Sequence, residues 1–160
     1  METYKNNYFI SNSIKTDKIK YGFFSKGGGC STGNYRSLNC SISSGDKKKL
    51  VYKNIDIAKR KLGFENHNIK FLKQTHSDRV EIIDKNNLNM TTDADGSITK
   101  DKSIVLAIMT ADCAPIFIFD SDCSFVCSLH IGWKGCLANI VKTAVYKIIQ
   151  MHITTQNLIA

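Results

Sequence analysis

Residues 103–132 hold three apolar runs of strand length in close succession, "SIVLAIMT", "PIFIFD" and "SFVCSLHIG", and "KGCLANIVKTAVYKIIQMH" comes next. The runs are rich in β-branched and aromatic residues, and Asp120–Cys123 supplies a turn between the last two. Strands this close in sequence tend to lie side by side in a sheet. The segment after them places Leu137, Ile140, Val141, Ala144, Val145, Ile148 and Ile149 at helical period, forming one apolar stripe. A sheet face and a helix stripe each need apolar cover. The spacing therefore predicts a helix over 134–152 that covers one face of the sheet.

Upstream, "IKYGFFS" (19–25) reads as a strand, and "KGGGCSTGNY" (26–35) as a glycine-rich loop. The loop lacks the Gly-Lys-Ser/Thr ending of a Walker phosphate loop, so it is either a flexible connection or a backbone that approaches a ligand. "DKKKLVYKNIDIAKRKLGF" reads as a helix with Asp46 as N-cap, a basic last turn and Gly63 just past its end. "NIKFLKQ" (68–74) and "RVEIID" (79–84) read as strands around "THSD". "KNNLNMTTDADGSIT" reads as a polar loop with a turn at Asp95-Gly96. Two helices and about six strands, often consecutive, predict an α+β fold: mixed β-sheets packed with helices in layers, as a single domain over 1–160. "ITTQNLIA" reads as a strand just beginning.

The 160 residues are long enough to bury a core, and the 42% hydrophobic content is that of a globular protein. A net charge of +8 fits either a lysine-rich solvated surface or an attraction for anions. There is no run of five basic residues and no zinc-finger spacing, so a nucleic-acid partner is not expected. Residues 1–15 lack the apolar core of a leader, and the apolar stretch 104–119 is interrupted by Asp112 and Pro115. A cytoplasmic protein without a membrane span is expected, with its six cysteines reduced.

Three residues stand out as chemistry: His76 in "KQTHSDRV", Cys113 in "TADC" and His130 in "SLHIGWKG". Each is a polar or soft group at the end of an apolar run. Two imidazoles and a thiolate would leave one vertex free on a tetrahedral zinc, the composition of a catalytic site. The separations, 37 and 17 residues, are no local ligand motif. A satisfied core histidine with a buried cysteine, or a Cys-His nucleophile pair, fits the residues as well.

"KQTHSDRV", "TADCAPI" and "HIGWKG", in this order, resemble the signature segments Q-x-H-x-x-x-V, T-A-D-C-x-P and H-A-G-W-R-G of the laccase-domain family. Its members are known as polyphenol oxidases and as purine nucleoside phosphorylases. "FFSKGGGCSTGNYRSLNCSISSGD" and "TDADGSIT" resemble further family segments, so the likeness runs from about residue 21 onward. The resemblance implies a layered α/β fold and zinc on His76, Cys113 and His130. It implies phosphorolysis of purine nucleosides, methylthioadenosine among them, and deamination of adenosine. An older assignment within the family is copper-dependent phenol oxidation. Family members run on well past the position of Ala160, so a C-terminal part is expected to be lacking here.

The residues suit parts of this chemistry. Zinc with an open position lowers the pKa of water to about 7, as attack on adenine requires. Asp112, beside Cys113, reads as a proton shuttle or as a structural carboxylate. Lys26 and Lys134 are candidates for phosphate, each equally readable as solvated surface; Lys134 would add its charge to a helix start. The family usually carries arginine at both positions, and lysine binds phosphate as a point charge rather than a planar fork. Gln74 and Asn39 are candidates for ribose or base. Trp133 reads as a base platform or as a packing anchor. His67 and His152 receive no role. Two rival readings remain: a copper oxidoreductase, for which four histidines are few, and a non-catalytic zinc-containing nucleotide- or partner-binding module closed by Cys127 or Asp112.

Overall fold

The structure is a computed structural model that describes residues 2–5, 7–11, 14 and 16–160; part of the stretch read for a leader lies outside them. The chain divides into two compact units, residues 1–66 and 67–160.

The first unit holds β1 (Glu2–Lys5), β2 (Tyr8–Ser11) and β3 (Phe23–Phe24) in an antiparallel sheet of that order. The strand predicted over 19–25 shrinks to Phe23–Phe24 for a local reason. The Tyr21 hydroxyl accepts from the Ser11 N–H (2.8 Å) and donates to the Ser11 carbonyl (2.9 Å), meeting the ladder's needs with a side chain. Tyr8 stacks on Phe24 with ring centroids 5.0 Å apart.

Helix α1 (Lys48–Leu62) follows. It begins one residue later than Asp46 predicts, with Lys47 as N-cap and no side-chain cap bond. The Asp46 carboxylate instead accepts from Ser31 Oγ (2.6 Å), Asn39 Nδ2 (3.1 Å) and the Lys47 N–H (2.7 Å). Gly63 ends the helix as expected, at φ 73°, where a side chain would be strained. Val51 and Ile55 bury the apolar stripe, and Asn54 lies fully buried beside them. The Asn54 side chain accepts from the Cys30 N–H and donates to Ser31 Oγ and the carbonyls of Ser37 and Asn39. The glycine-rich loop is thus pinned to α1 rather than flexible. Its chain comes so close to itself that a Cβ on Gly29 would sit 2.2 Å from the Ser37 carbonyl oxygen.

The second unit is built on a five-stranded mixed sheet of order β10-β8-β9-β6-β5. Its strands are β5 (Val80–Ile82), β6 (Gly96–Thr99), β8 (Ala114–Asp120), β9 (Val126–Ile131) and β10 (Leu158–Ile159). Only the β5–β6 pair is parallel. A separate parallel pair joins β4 (Asn68–Phe71) to β7 (Ile104–Ala107). These sheets and helices make the α+β class predicted from the runs of strands.

The predicted helix 134–152 is two helices, α2 (Trp133–Leu137) and α3 (Ile140–Gln150). Asn139 separates them at φ 62°, in the left-handed region that asparagine tolerates, and its Oδ1 accepts from the Lys142 N–H (3.2 Å). The break splits the stripe. Ile140, Ala144 and Ile148 are fully buried in α3, which lies over β5, β6 and β9. Leu137, on α2, is 80% exposed. The core joins these three residues to Val80, Ile98, Ile118, Phe125 and Leu129.

Asp95-Gly96 is no hairpin turn. Gly96 opens β6 wedged between its neighbours, where a Cβ would lie 2.6 Å from Leu129 Cδ2 and 2.7 Å from Val80 Cγ2. Asp95 is fully buried.

Candidate metal centre

Strand directions bring the predicted residues together. β5 and β6 run parallel, and β9 runs against both β6 and β8. The starts of β5, β6 and β8 and the end of β9 therefore share one end of the sheet. His76 lies in the segment leading to β5, Asp95 directly precedes β6, Cys113 directly precedes β8, and His130 is the penultimate residue of β9. The pairing of Pro115 with His130 sets Cys113 level with the end of β9.

His76, Cys113 and His130 offer ligand atoms that all lie within 4.8 Å of one another. Cys113 Sγ is 3.8 Å from His76 Nε2. The two imidazoles meet edge to face with centroids 4.9 Å apart. His130 is 3% exposed, Cys113 is half-buried and His76 faces solvent, so the group opens outward on the His76 side. Gly132 makes room for it: a Cβ there would stand 2.3 Å from His76 Cδ2. Gly135 serves similarly, as its Cβ would meet the Ser77 carbonyl oxygen at 2.8 Å.

The residue that the sequence reading missed is Asp95. Its Oδ1 receives the His76 N–H (3.0 Å) and lies 2.8 Å from His130 Nδ1. Its Oδ2 receives the N–H groups of Thr75 (3.0 Å) and Ser77 (2.7 Å) and the Ser77 hydroxyl (2.7 Å). Its own carbonyl accepts the His130 N–H at 2.7 Å. Burial pushes the Asp95 carboxyl up, but the His130 bond and the Ser77 and Thr75 donors outweigh it and hold the group down at about 2. The same donors fix the turn in which His76 takes φ 58°. A signal existed in "DAD" beside the strand start, but Asp-Gly is read first as a turn.

The other candidates fall as follows. Asp112 is exposed, and its Oδ1 lies 3.5 Å from Cys113 Sγ. The carboxylate bonded to a candidate ligand histidine is Asp95, not Asp112. Desolvation, and after it the Asp112 carboxylate, push the Cys113 thiol up, a bias that a bound cation would reverse. Gln74 pairs with the backbone of Met109, donating to its carbonyl (2.7 Å) and accepting its N–H (2.8 Å). It thereby holds the segment that leads to Cys113, and the Thr110 hydroxyl bonds the Cys113 carbonyl.

Trp133 is 67% exposed, which removes the packing-anchor reading, and Lys134 Nζ stands 5.5 Å from its ring centroid. Lys134 is the second residue of a five-residue helix, too short to add a useful end charge. Lys26 is exposed in the first unit, where both Nδ2 bonds of Asn39 go to Ser44 and Asp46 of its own loop. Cys127 packs in the core, and neither it nor Asp112 joins the three-residue group among the described residues.

The donor set fits a borderline or soft cation. The atoms are two nitrogens and one sulfur within 4.8 Å of one another, and the second nitrogen of His130 is held by a carboxylate as metal-bound histidines usually are. Fold and site together define an α+β protein with a solvent-open, three-donor candidate metal centre.

The chain belongs to the family described as multi-copper polyphenol oxidoreductase laccase, which matches residues 20–160. It is 31% identical over 123 residues to a purine nucleoside phosphorylase of Bacteroides thetaiotaomicron, covering 72% of this chain and 46% of that protein. It is 32% identical over 127 residues to purine nucleoside phosphorylase YlmD of Bacillus subtilis, covering 74% and 46%. The crystal structure of Bacillus licheniformis hypothetical protein YfiH superposes with a TM-score of 0.80 at 27% identity, covering 86% of this chain and 55% of that one. The chain thus spans about half the length of the curated relatives it matches.

Proposed function

We propose that the protein is a zinc-dependent purine nucleoside phosphorylase, converting a nucleoside and phosphate to the free base and ribose 1-phosphate. The observation that carries this reading is the convergence of His76, Cys113 and His130 at one sheet end, in a chain whose relatives carry that name. Zinc is favoured over copper because the described residues offer one three-donor group, whereas multicopper oxidation needs several centres.

Zinc held by these residues would supply Lewis acidity at the open side of the centre. The remaining roles belong to side chains. Lys134 offers an exposed ammonium to phosphate, and Trp133 beside it offers an apolar face to a purine. Asp112, whose Oδ1 lies 3.5 Å from Cys113 Sγ, would exchange a proton with a departing base or, in adenosine deamination, with ammonia. Gln74 steadies the approach to Cys113 through Met109. Lys26 and Asn39 are carried as phosphate and ribose contacts on the resemblance alone. Methylthioadenosine phosphorolysis and adenosine deamination belong to the same reading, as do a cytoplasmic setting and the absence of a nucleic-acid partner. Among the described residues, no helix is long and apolar enough to cross a membrane.

The test is zinc content and product analysis on the purified protein. About one zinc per chain is expected, with adenine formed from adenosine only when phosphate is present, and inosine marking the deaminase activity. A folded, zinc-loaded protein that forms none of these products rejects the assignment.

A further inference from the structure

We infer that Asp95 is a positioning residue that sets the tautomer of His130, keeping the proton on Nδ1 and the Nε2 lone pair free for a cation. The inference concerns the metal centre of the preceding reading and rests on it for its purpose, though not for its geometry.

The argument is one of donor and acceptor matching. An ionised carboxylate only accepts hydrogen bonds. His130 Nδ1, 2.8 Å from Asp95 Oδ1, must therefore carry a hydrogen, and in the neutral ring Nε2 is then bare. The arrangement has no slack. His130 is 3% exposed and Asp95 is fully buried, so water cannot easily replace either partner. Every other group on Asp95 is a donor: the N–H groups of Thr75, His76 and Ser77 and the Ser77 and Thr75 hydroxyls. One carboxylate thus fixes the ring state of one proposed ligand and the backbone of the other.

The isosteric change Asp95→Asn exposes the dependence. An amide accepts at one end and donates at the other. Turned so that its NH2 replaces Oδ2, it would face two backbone N–H groups that cannot become acceptors. Turned the other way, the NH2 forfeits one backbone bond, that of the His76 N–H, instead of two, and faces His130 Nδ1, whose ring can adapt. It does so by moving its hydrogen to Nε2, the nitrogen that a cation needs.

The experiment uses the full chain with 15N-labelled histidine. In metal-free wild type, nitrogen shifts should report Nδ1–H and a bare Nε2 for His130, and in Asp95→Asn the reverse tautomer. Chelator competition should then show zinc held 10- to 100-fold more weakly by Asp95→Asn. Ser77→Ala, which removes one hydroxyl from the same carboxylate, should keep the wild-type tautomer. A wild-type His130 with its hydrogen on Nε2 overturns the inference, and that measurement needs no variant to fold. So does a folded Asp95→Asn that keeps the bare Nε2 or binds zinc as tightly as wild type. A wild type with the expected tautomer that binds no zinc would reject the metal reading while leaving the role of Asp95 in place.

Discussion

At the scale of single residues, the candidate site depends on small groups as much as on its three proposed ligands. Gly132 takes ordinary negative φ, so conformation alone does not demand glycine there. Space does, since the ring of His76 occupies the volume of a Cβ. Gly132→Ala should therefore push His76 away, weakening zinc binding roughly 10- to 100-fold, as the loss of a supporting partner does. Unchanged zinc affinity in a chelator competition would show that the imidazole can move without consequence. His76, Cys113 and His130 were legible because their motifs are specific. Asp95 was not, because Asp-Gly has a strong local meaning as a turn, and what overrides it here is the chain packed around it.

At the scale of elements, two features decide what the local pattern leaves open. Asn139 divides one predicted helix into two, and no gap in the apolar period announces it. Asp46 sits where an N-cap is expected but faces the glycine-rich loop, tying Ser31 and Asn39 to the start of α1. Its carboxyl lies below the ordinary carboxylate value, lowered first by the Ser31 hydroxyl and opposed by desolvation, with Asn39 and Lys47 adding to the lowering. A carboxyl depressed in the folded state stabilises above its unfolded pKa, about 3.9, and that stability is lost as pH falls through the folded value. Chemical denaturation of Asp46→Asn should accordingly show a shallower loss of stability below about pH 4 than wild type. Parallel acid limbs in the two proteins would mean that the Ser31–Asp46 bond contributes nothing there.

At the scale of the molecule, the six cysteines give a direct readout of the centre. Burial pushes the Cys127 thiol up to about 12 and the Cys40 thiol up to about 11, so neither should react with iodoacetamide near pH 8. Cys136 is exposed and should be alkylated readily. Cys113 is half-buried and should be alkylated in metal-free protein and protected once zinc is added. Labelling of Cys113 that zinc does not alter, read by peptide mass, would count against metal binding there.

The sequence by itself determined the α+β class, α1 with its Gly63 stop, most of the strands and the three candidate ligands. These follow from local period, turn chemistry and motifs, which travel with neighbouring residues. The tertiary structure alone decided the strand order that gathers Cys113 and His130 at one sheet end and the burial of Asp95 between β5 and β9. It also decided the exposure of Trp133. Each of these depends on partners distant along the chain, and no local window contains both members of such a pair.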